Sequence, residues 1–476
     1  MTSVLIWIAY FAVFAFLVHK GRSKDAVLSG SVGFGVQAFA YVSTYISAVA
    51  LVGFGGLAHA YGLQMMMVAA GNVWIGTYMV YRFMAWPTRE WQMKLGARTP
   101  AQLLGLGHGS PLLTRVFALV FALFLSVYAS AVVKGAALLL VEILPLPLWS
   151  LIWIVAVIVG ITVFVGGLRG VLFTEAMQGV VMLLGMIMLV VAVLDKVGGP
   201  WSGLLALAEL EPTKMANNGF VSVSDGGQGL FVWSLVIVTS FAVWAQPQMI
   251  QRHFAIASPL QLKKTTPLAV LVLTVLVGGT YFAASLSRLF LPDMASPDQV
   301  MPALVHMLLP DFALQLFVLA IVSASLSTAT AIFHIAVAAL SEDMRGSRST
   351  RLTWLLGIIV CVLMSGGCAQ IKGQLVSILH TTSWSVIACM ALVPYIALVR
   401  FGRQDKRAAW VSAVAGFVTC LGWYLLAYPP TAIWGPLFGS TAASIPPFFI
   451  GFAFSVGGWF LAAAKSPVTA EVMHSK

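Results

Sequence analysis

Ala40-Tyr41-Val42-Ser43-Thr44-Tyr45-Ile46-Ser47, followed closely by Gly53-Phe54-Gly55-Gly56, interrupts an apolar run at 33–56. Backbone groups in hydrocarbon must be bonded within the protein. Irregular backbone therefore survives there only where it lines a cavity or is buried. Hydroxyls and glycines in such a run have two readings: a helix that unwinds midway, or a helix packed on its neighbours through small residues. Thr239-Ser240-Phe241-Ala242-Val243-Trp244-Ala245-Gln246-Pro247-Gln248 poses the same choice inside the apolar run at 229–250. Pro247 removes a backbone donor and crowds the turn before it, and the flanking glutamines can bond the freed groups. A plain proline kink is the alternative there.

The surrounding composition shows what these runs are. Of 476 residues, 60% are hydrophobic and 9% are charged, where a soluble domain carries about 25% charged residues. Mean hydropathy is +0.97. A soluble enzyme, a disordered chain and a disulfide scaffold are excluded. Continuous rather than alternating apolar runs exclude an outer-membrane barrel. A crossing needs about 20 apolar residues, and thirteen segments qualify: 4–18, 33–56, 63–86, 113–143, 148–166, 171–195, 229–250, 265–289, 311–341, 352–371, 376–399, 408–427 and 445–464. The fold class is all-α and polytopic. The two interrupted spans, the second and the seventh, lie five spans apart. Interrupted spans at corresponding places in two halves point to an inverted-repeat secondary transporter.

Charge supplies the orientation. The chain holds 26 Lys+Arg against 15 Asp+Glu, net +11. These cations sit singly in short gaps, which suits the positive-inside rule rather than nucleic-acid binding. His19, Lys20, Arg22 and Lys24 follow the first span and no basic residue precedes it, so it reads as a retained span and not a cleaved signal. With the amino end outside and the carboxyl end inside, only Lys196, Lys214, Arg288 and Lys372 fall in outer loops, and Lys134 falls within a span. The longest gap, 197–228, is then external and reads as a short amphipathic helix with a Gly/Ser/Asp-rich loop. The organisation expected is a first helix with its inner loop over 1–28, a transport core with a twelfth helix over 29–430, and a terminal unit over 431–476. There is no P-loop and no phosphorylated-aspartate segment. Cys361, Cys368, Cys389 and Cys420 lie in apolar segments without metal-ligand spacing and read as packing residues.

Three segments resemble the sodium/solute symporter family. They are Gly166-Gly167-Leu168-Arg169-Gly170-Val171-Leu172-Phe173-Thr174-Glu175-Ala176-Met177-Gln178-Gly179, then Gln246-Pro247-Gln248-Met249-Ile250-Gln251-Arg252, and Ala324-Ser325-Leu326-Ser327-Thr328 with Ser341-Glu342-Asp343 on the same helix. The resemblance runs from about residue 30 to about 430. It implies a LeuT-type fold with a 5+5 inverted repeat. Within 43–62 the chain resembles the branch of pantothenate and monocarboxylate carriers. It departs from the family in having Glu175 where Asp is usual. Val49 and Ala50 stand where the sugar carriers have a polar pair, which argues against a sugar.

The resemblance also implies site residues. Sodium needs several oxygens at short range. Ser327 and Thr328 offer hydroxyls and Ala324 a carbonyl, and by carry-over the carbonyls of Ser43 and Ile46 complete five. The alternative is that Ser327 and Thr328 bond back to carbonyls one turn earlier. Glu175 reads as a way-station for sodium leaving inward, or as an ion-pair partner of Arg169 or Arg252. His380-Thr381-Thr382-Ser383-Trp384 opens the eleventh span, which lines the solute cavity in the family. His380, Thr381 and Trp384 are solute-site candidates, as are Asn72, Thr239, Ser240, Trp244 and Gln246. Lys134 either snorkels outward, pairs with Glu142, or attracts an anion along the path. His59, His306 and His334 are isolated and read as core or surface histidines.

The expected activity is sodium-coupled import of a small organic solute across the cytoplasmic membrane, an organic anion such as a monocarboxylate or a carboxylate-bearing vitamin. Na+ is the coupling ion, with no other cofactor. The partners are the solute, the ion and the bilayer, with no nucleic acid. The rivals are a proton-coupled or sodium-independent carrier on the same fold, and a transporter-like sensor. A membrane enzyme is disfavoured because the acids are few and scattered.

Overall fold

In the computed structural model, residues 2–21, 27, 32–141, 144–223, 229–292, 294, 296–371, 376–428 and 445–463 are described. Among them the regular structure is entirely helical. Within the described residues, each of the thirteen apolar segments falls on helix over most of its length. By length and hydropathy, eight helices can cross a membrane. A ninth crossing is a pair, Phe231–Ala245 and Pro247–His253, bent by 49°. Leu5–Lys20 and Pro447–Ala463 are apolar but shorter.

Two of the eight helices are too long for one crossing. Leu148–Lys196 has 49 residues, about 74 Å at the α-helical rise, against a hydrocarbon core of about 30 Å. It divides at Gly167, whose φ of 56° and ψ of −171° belong to neither helix nor strand. Only glycine adopts that backbone without strain, which accounts for the Gly166-Gly167 pair. Val49–Leu95 divides at Gly62, with φ 65° and ψ −147°. There the Leu63 amide donates to the Phe220 carbonyl at 2.8 Å. The expected 197–228 loop, with its helix at Pro200–Ala208, thus reaches back over the turn between the second and third spans. Residues 224–228 of that loop lie outside the described residues, as do most of the 19–32 loop and most of the terminal unit.

The ninth span, Asp311–Asp343, is the centre of the bundle and is buried on every side from Phe317 to Ala339. Arg351–Ala369 and Lys406–Leu426 are peripheral and turn Leu352, Leu363 and Val418 outward. In lipid this costs nothing, since hydrocarbon chains are as apolar as leucine. Cys361, Cys389 and Cys420 are buried and unbridged. A helix not expected from hydropathy, Pro297–Leu308, lies across the end of the second span. Its Pro297 carbonyl sits where a Cβ on Gly56 would be, 1.9 Å away, so only glycine admits this contact.

Candidate ion and solute site

The second span breaks where its hydroxyls cluster. Helix Phe34–Tyr45 ends at Ile46, which is extended at φ −95° and ψ 117°. Ser47 Oγ accepts from the Val49 amide at 3.1 Å and starts the next segment. An unbroken helix would commit the carbonyls of Ser43, Thr44 and Ile46 to amides four residues on. Here they face the ninth span. Ser327 Oγ lies 2.8 Å from the Ser43 carbonyl and 3.0 Å from that of Ala324. Thr328 Oγ1 lies 3.1 Å from Ser43 O, 3.3 Å from Thr44 O and 3.4 Å from Ile46 O.

All five residues named from the sequence therefore converge, and the Thr44 carbonyl joins them. That sixth oxygen was missed, although it is adjacent to Ser43 in the same interrupted stretch. Each hydroxyl has one proton to donate, so two protons serve six oxygens. The surplus of buried lone pairs, with no formal charge, suits a hard monovalent cation that seeks oxygen. Back-bonding one turn earlier holds for Ser325, which donates to Ile321 O at 2.9 Å. It accounts for only one of the two contacts of Ser327.

The same break lines a second space. Tyr45 Oη donates either to Asn72 Oδ1 at 3.1 Å or to the Thr239 carbonyl at 2.8 Å, bridging the third span and the break in the seventh. Its ring stacks on Trp384 at 6.1 Å. His380 packs against Trp384 at 4.5 Å, Tyr128 at 4.9 Å and Phe54 at 5.5 Å. Asn72, Thr239, His380 and Trp384 line a cavity together with Tyr45, Ile46, Ser47, Phe54 and Tyr281. The aromatics Phe54 and Tyr281 were not legible as lining, since nothing in an apolar span marks one aromatic from another. The cavity volume is ≈ 10 Å³, about the room one water needs and too little for an organic solute. Tyr281 Oη, His380 Nδ1 and Trp384 Nε1 are buried without hydrogen-bond partners among the described residues.

Four of the proposed solute residues stand behind this lining. Ser240 Oγ donates to Asn72 Oδ1 at 3.4 Å. Gln246 Nε2 reaches the Ala242 carbonyl at the seventh-span break at 3.3 Å and the Trp384 carbonyl of the eleventh span at 3.2 Å. Trp244 Nε1 bonds the Ile75 carbonyl at 3.1 Å, and Thr381 Oγ1 bonds back to Ser377 O at 2.9 Å. Helix rotation is the reason: neighbours on a helix point about 100° apart, so Thr239 and His380 face inward while Ser240 and Thr381 do not.

Glu175 is fully buried and ion-paired with Arg252, which comes from the half-helix after Pro247. Arg252 Nε also bonds Thr44 Oγ1 at 3.2 Å, linking the pair to the ion-facing break. Arg169 instead lies over Phe173, 5.8 Å from the ring centroid. Lys134 does not line the cavity; its Nζ lies 3.4 Å from the Ile371 carbonyl. Glu142 lies outside the described residues. Lys134 interacts electrostatically with Asp298, whose Oδ2 accepts from the Val376 amide at 3.2 Å. Burial pushes the Asp298 carboxyl upward, opposed by that amide and by Lys134. At the far end of the bundle, Arg98 pairs with Glu342 at 3.0 Å, and Thr99 and Gln102 each reach Asp343 at 2.8 Å.

The chain was compared with known proteins. The family described as sodium:solute symporter matches residues 27–365. The sodium/pantothenate symporter of Haemophilus influenzae is 30% identical over 301 residues, 62% of this chain and 60% of that protein. The match thus spans about three fifths of that relative's length. The sodium/pantothenate symporter of Escherichia coli is 26% identical over 347 residues, 70% of each chain. The sodium/proline symporter of Haemophilus influenzae is 26% identical over 435 residues, 85% of this chain and 84% of that one. Among solved structures, a substrate-bound, outward-open Na+-coupled sialic acid symporter superposes with a TM-score of 0.76, covering 98% of both chains at 16% identity. That likeness concerns the fold, which is LeuT-type. The chain is an integral multi-pass membrane protein and belongs to the sodium:solute symporter family.

Proposed function

We propose that this sodium:solute symporter imports a small organic anion, a monocarboxylate or a carboxylate-bearing vitamin. Sodium binds at the oxygens of Ser43, Ile46, Ala324, Ser327 and Thr328, with the Thr44 carbonyl beside them. One observation carries the reading: the break at Ile46 and Ser47 serves both spaces. The Ile46 carbonyl faces Thr328, 3.4 Å from its hydroxyl, while Ile46 and Ser47 also line the solute cavity. A cation on one side of this strand of backbone attracts an anion on the other and orders the backbone that both contact. Each ligand then strengthens the other's binding, which is what coupling requires.

The anion reading rests on the cavity's donors. Tyr281 Oη, His380 Nδ1 and Trp384 Nε1 are unmet, and Trp Nε1 can only donate. The half-helix amino terminus that follows Ser47, itself in the lining, adds partial positive charge. No polar pair of the sugar-carrier kind is present at Val49 and Ala50. The relatives named for pantothenate act on a carboxylate. Lys134, outside the lining, gives no support to a cationic surrogate for sodium.

Import requires both ends to open in turn. The basic-residue partition places the amino end outside, the carboxyl end inside and the Arg98–Glu342 cluster at the inner face of the cytoplasmic membrane. The Pro297–Leu308 helix then covers the outer side. Glu175, tied through Arg252 to Thr44, is the first acid a sodium ion meets on leaving inward. Uptake into proteoliposomes, screened over carboxylates, vitamins, amino acids and sugars with and without a sodium gradient, tests the proposal. Carboxylate uptake that needs sodium is expected. Transport of a sugar or polyol, with no carboxylate competing, would overturn it.

A further inference from the structure

A groove of ≈ 680 Å³ lies where the first, fourth, fifth and ninth spans meet. Each of the outer three gives it residues one turn apart: Trp7 and Phe11 on the first, Ala136 and Leu140 on the fourth, Ile154 and Ile158 on the fifth. Residues four apart share a helix face, so the groove runs along these spans. On the ninth span it extends from Gln315 to Leu326, about 16 Å of helix. One leaflet contributes about half of a 30 Å hydrocarbon core, so the groove is one leaflet deep. Ile8 and Ile154 in its lining are exposed, whereas Val322 and Leu326 are buried. It therefore opens sideways, toward lipid, and reaches inward to the core.

Polarity is graded along it. At one end Trp7 Nε1 donates to Gln315 Oε1 at 3.0 Å, and a tryptophan with a polar partner suits the membrane interface. At the other end Ser325 Oγ is spent on the Ile321 carbonyl, and its neighbours in the lining, Val322 and Leu326, are apolar. An apolar space does not hold water, and one left empty forfeits the dispersion contacts of its walls. The occupant that fits is apolar, one leaflet long, polar at one end, and supplied by the bilayer itself.

The groove shares a helix with the ion site. Leu326 directly precedes Ser327. Ser323, one turn before Ser327, donates to Tyr10 Oη of the first span at 2.9 Å. The set of Ser327 and Thr328 against the Ser43 carbonyl thus depends on how the ninth span is supported along this groove.

We propose that the groove binds one acyl chain of a membrane phospholipid, from the leaflet that holds Trp7 and Gln315, and that the bound chain strengthens sodium binding by bracing the ninth span. The bracing rests on the sodium site at Ser327 and Thr328; the binding of the chain does not.

The test uses the full chain, purified and delipidated in detergent, with palmitoyl-oleoyl phosphatidylglycerol added back. Native mass spectrometry counts retained lipid, and the melting temperature against sodium concentration gives the apparent sodium affinity. Ile8→Trp and Ile154→Trp fill the groove from two different spans. Each should lower lipid affinity about tenfold, the equivalent of about two methylenes kept out. Ile161→Trp, at an exposed position two turns along the fifth span and outside the lining, should retain lipid like wild type. Added lipid should raise wild-type sodium affinity about fivefold, at the low end of coupling between sites. Sodium should raise lipid affinity by the same factor, because coupling is reciprocal. In Ile8→Trp and Ile154→Trp the sodium affinity should no longer respond to lipid. Equal lipid retention in all three variants, whether kept or lost, would overturn the groove as the site. Retention that follows the prediction while lipid leaves sodium affinity unchanged would overturn the bracing. If sodium fails to stabilise wild type even with lipid bound, the sodium reading falls and takes the bracing with it, while the retention data still decide the groove.

Discussion

Removing one hydroxyl from the ninth span should weaken sodium activation far more than it slows transport. Ser327 Oγ and Thr328 Oγ1 are two of six neutral oxygens gathered at the break. No formal charge shares the load, so each oxygen carries a large part of the ion's binding. Losing a buried polar contact costs about 1–3 kcal/mol, and about 1.4 kcal/mol is tenfold in affinity. Ser327→Ala and Thr328→Ala should therefore each raise the sodium concentration for half-maximal uptake about 5- to 100-fold. The double variant should be nearly independent of sodium or inactive. Thr328→Ser, which keeps the oxygen, should restore most of the affinity. Ser325→Ala is the control, because Ser325 Oγ bonds Ile321 O and lines an apolar pocket with Trp7. The assay is initial uptake rate against sodium concentration. It is paired with the melting temperature of purified protein in sodium, potassium and choline chloride, since an ion that binds only the folded state stabilises it. If both single variants keep wild-type sodium dependence while Ser325→Ala loses it, the assignment of this helix face is wrong. If none of the three matters, coupling does not run through this site.

The remaining predictions concern the frame around it. Single cysteines placed at Lys214 and Arg348 should react with an impermeant thiol reagent from opposite sides of the membrane; labelling from one side would refute the thirteen-span orientation. Glu175→Gln or Arg252→Gln alone strands a buried charge, a change that costs about 3–5 kcal/mol, and should lower the melting temperature sharply. The double variant should recover part of the loss, and a double-variant loss equal to the sum of the two single losses would show that the pair does not act as a unit. In Gly56→Ala the added Cβ would stand 1.9 Å from the Pro297 carbonyl oxygen, which should force the Pro297–Leu308 helix away and leave the outer side more open. A cysteine at Ser47 should then be labelled faster from outside in the Gly56→Ala background, and an unchanged rate would refute the closing role of that helix.

What the sequence determined by itself is what depends on local chemistry. A crossing is about 20 apolar residues matched to bilayer thickness, so the thirteen segments were legible and, within the described residues, fall on helix over most of their length. The divisions at Gly167 and Pro247 follow from backbone rules acting within a few residues, whereas the break among the hydroxyls of the second span was only one of two readings until the ninth span was seen to face it. The ion-site residues were named because the resemblance supplied the partner; no local rule brings Ser43 to Ser327, 284 positions away.

The tertiary structure decided which side of each helix does what. In a water-soluble helix the apolar stripe marks the inner face. Here the lipid is as apolar as the core, and the ninth span is apolar on every side and buried on every side. Hydropathy therefore could not tell Thr239 from Ser240 or His380 from Thr381. Nor could it choose Arg252 over Arg169 for Glu175, or bring Lys134 within electrostatic reach of Asp298. Those choices depend on helix rotation and on packing between segments hundreds of residues apart. The energies that fix them are hydrogen bonds and ion pairs, which form only once the backbones have met.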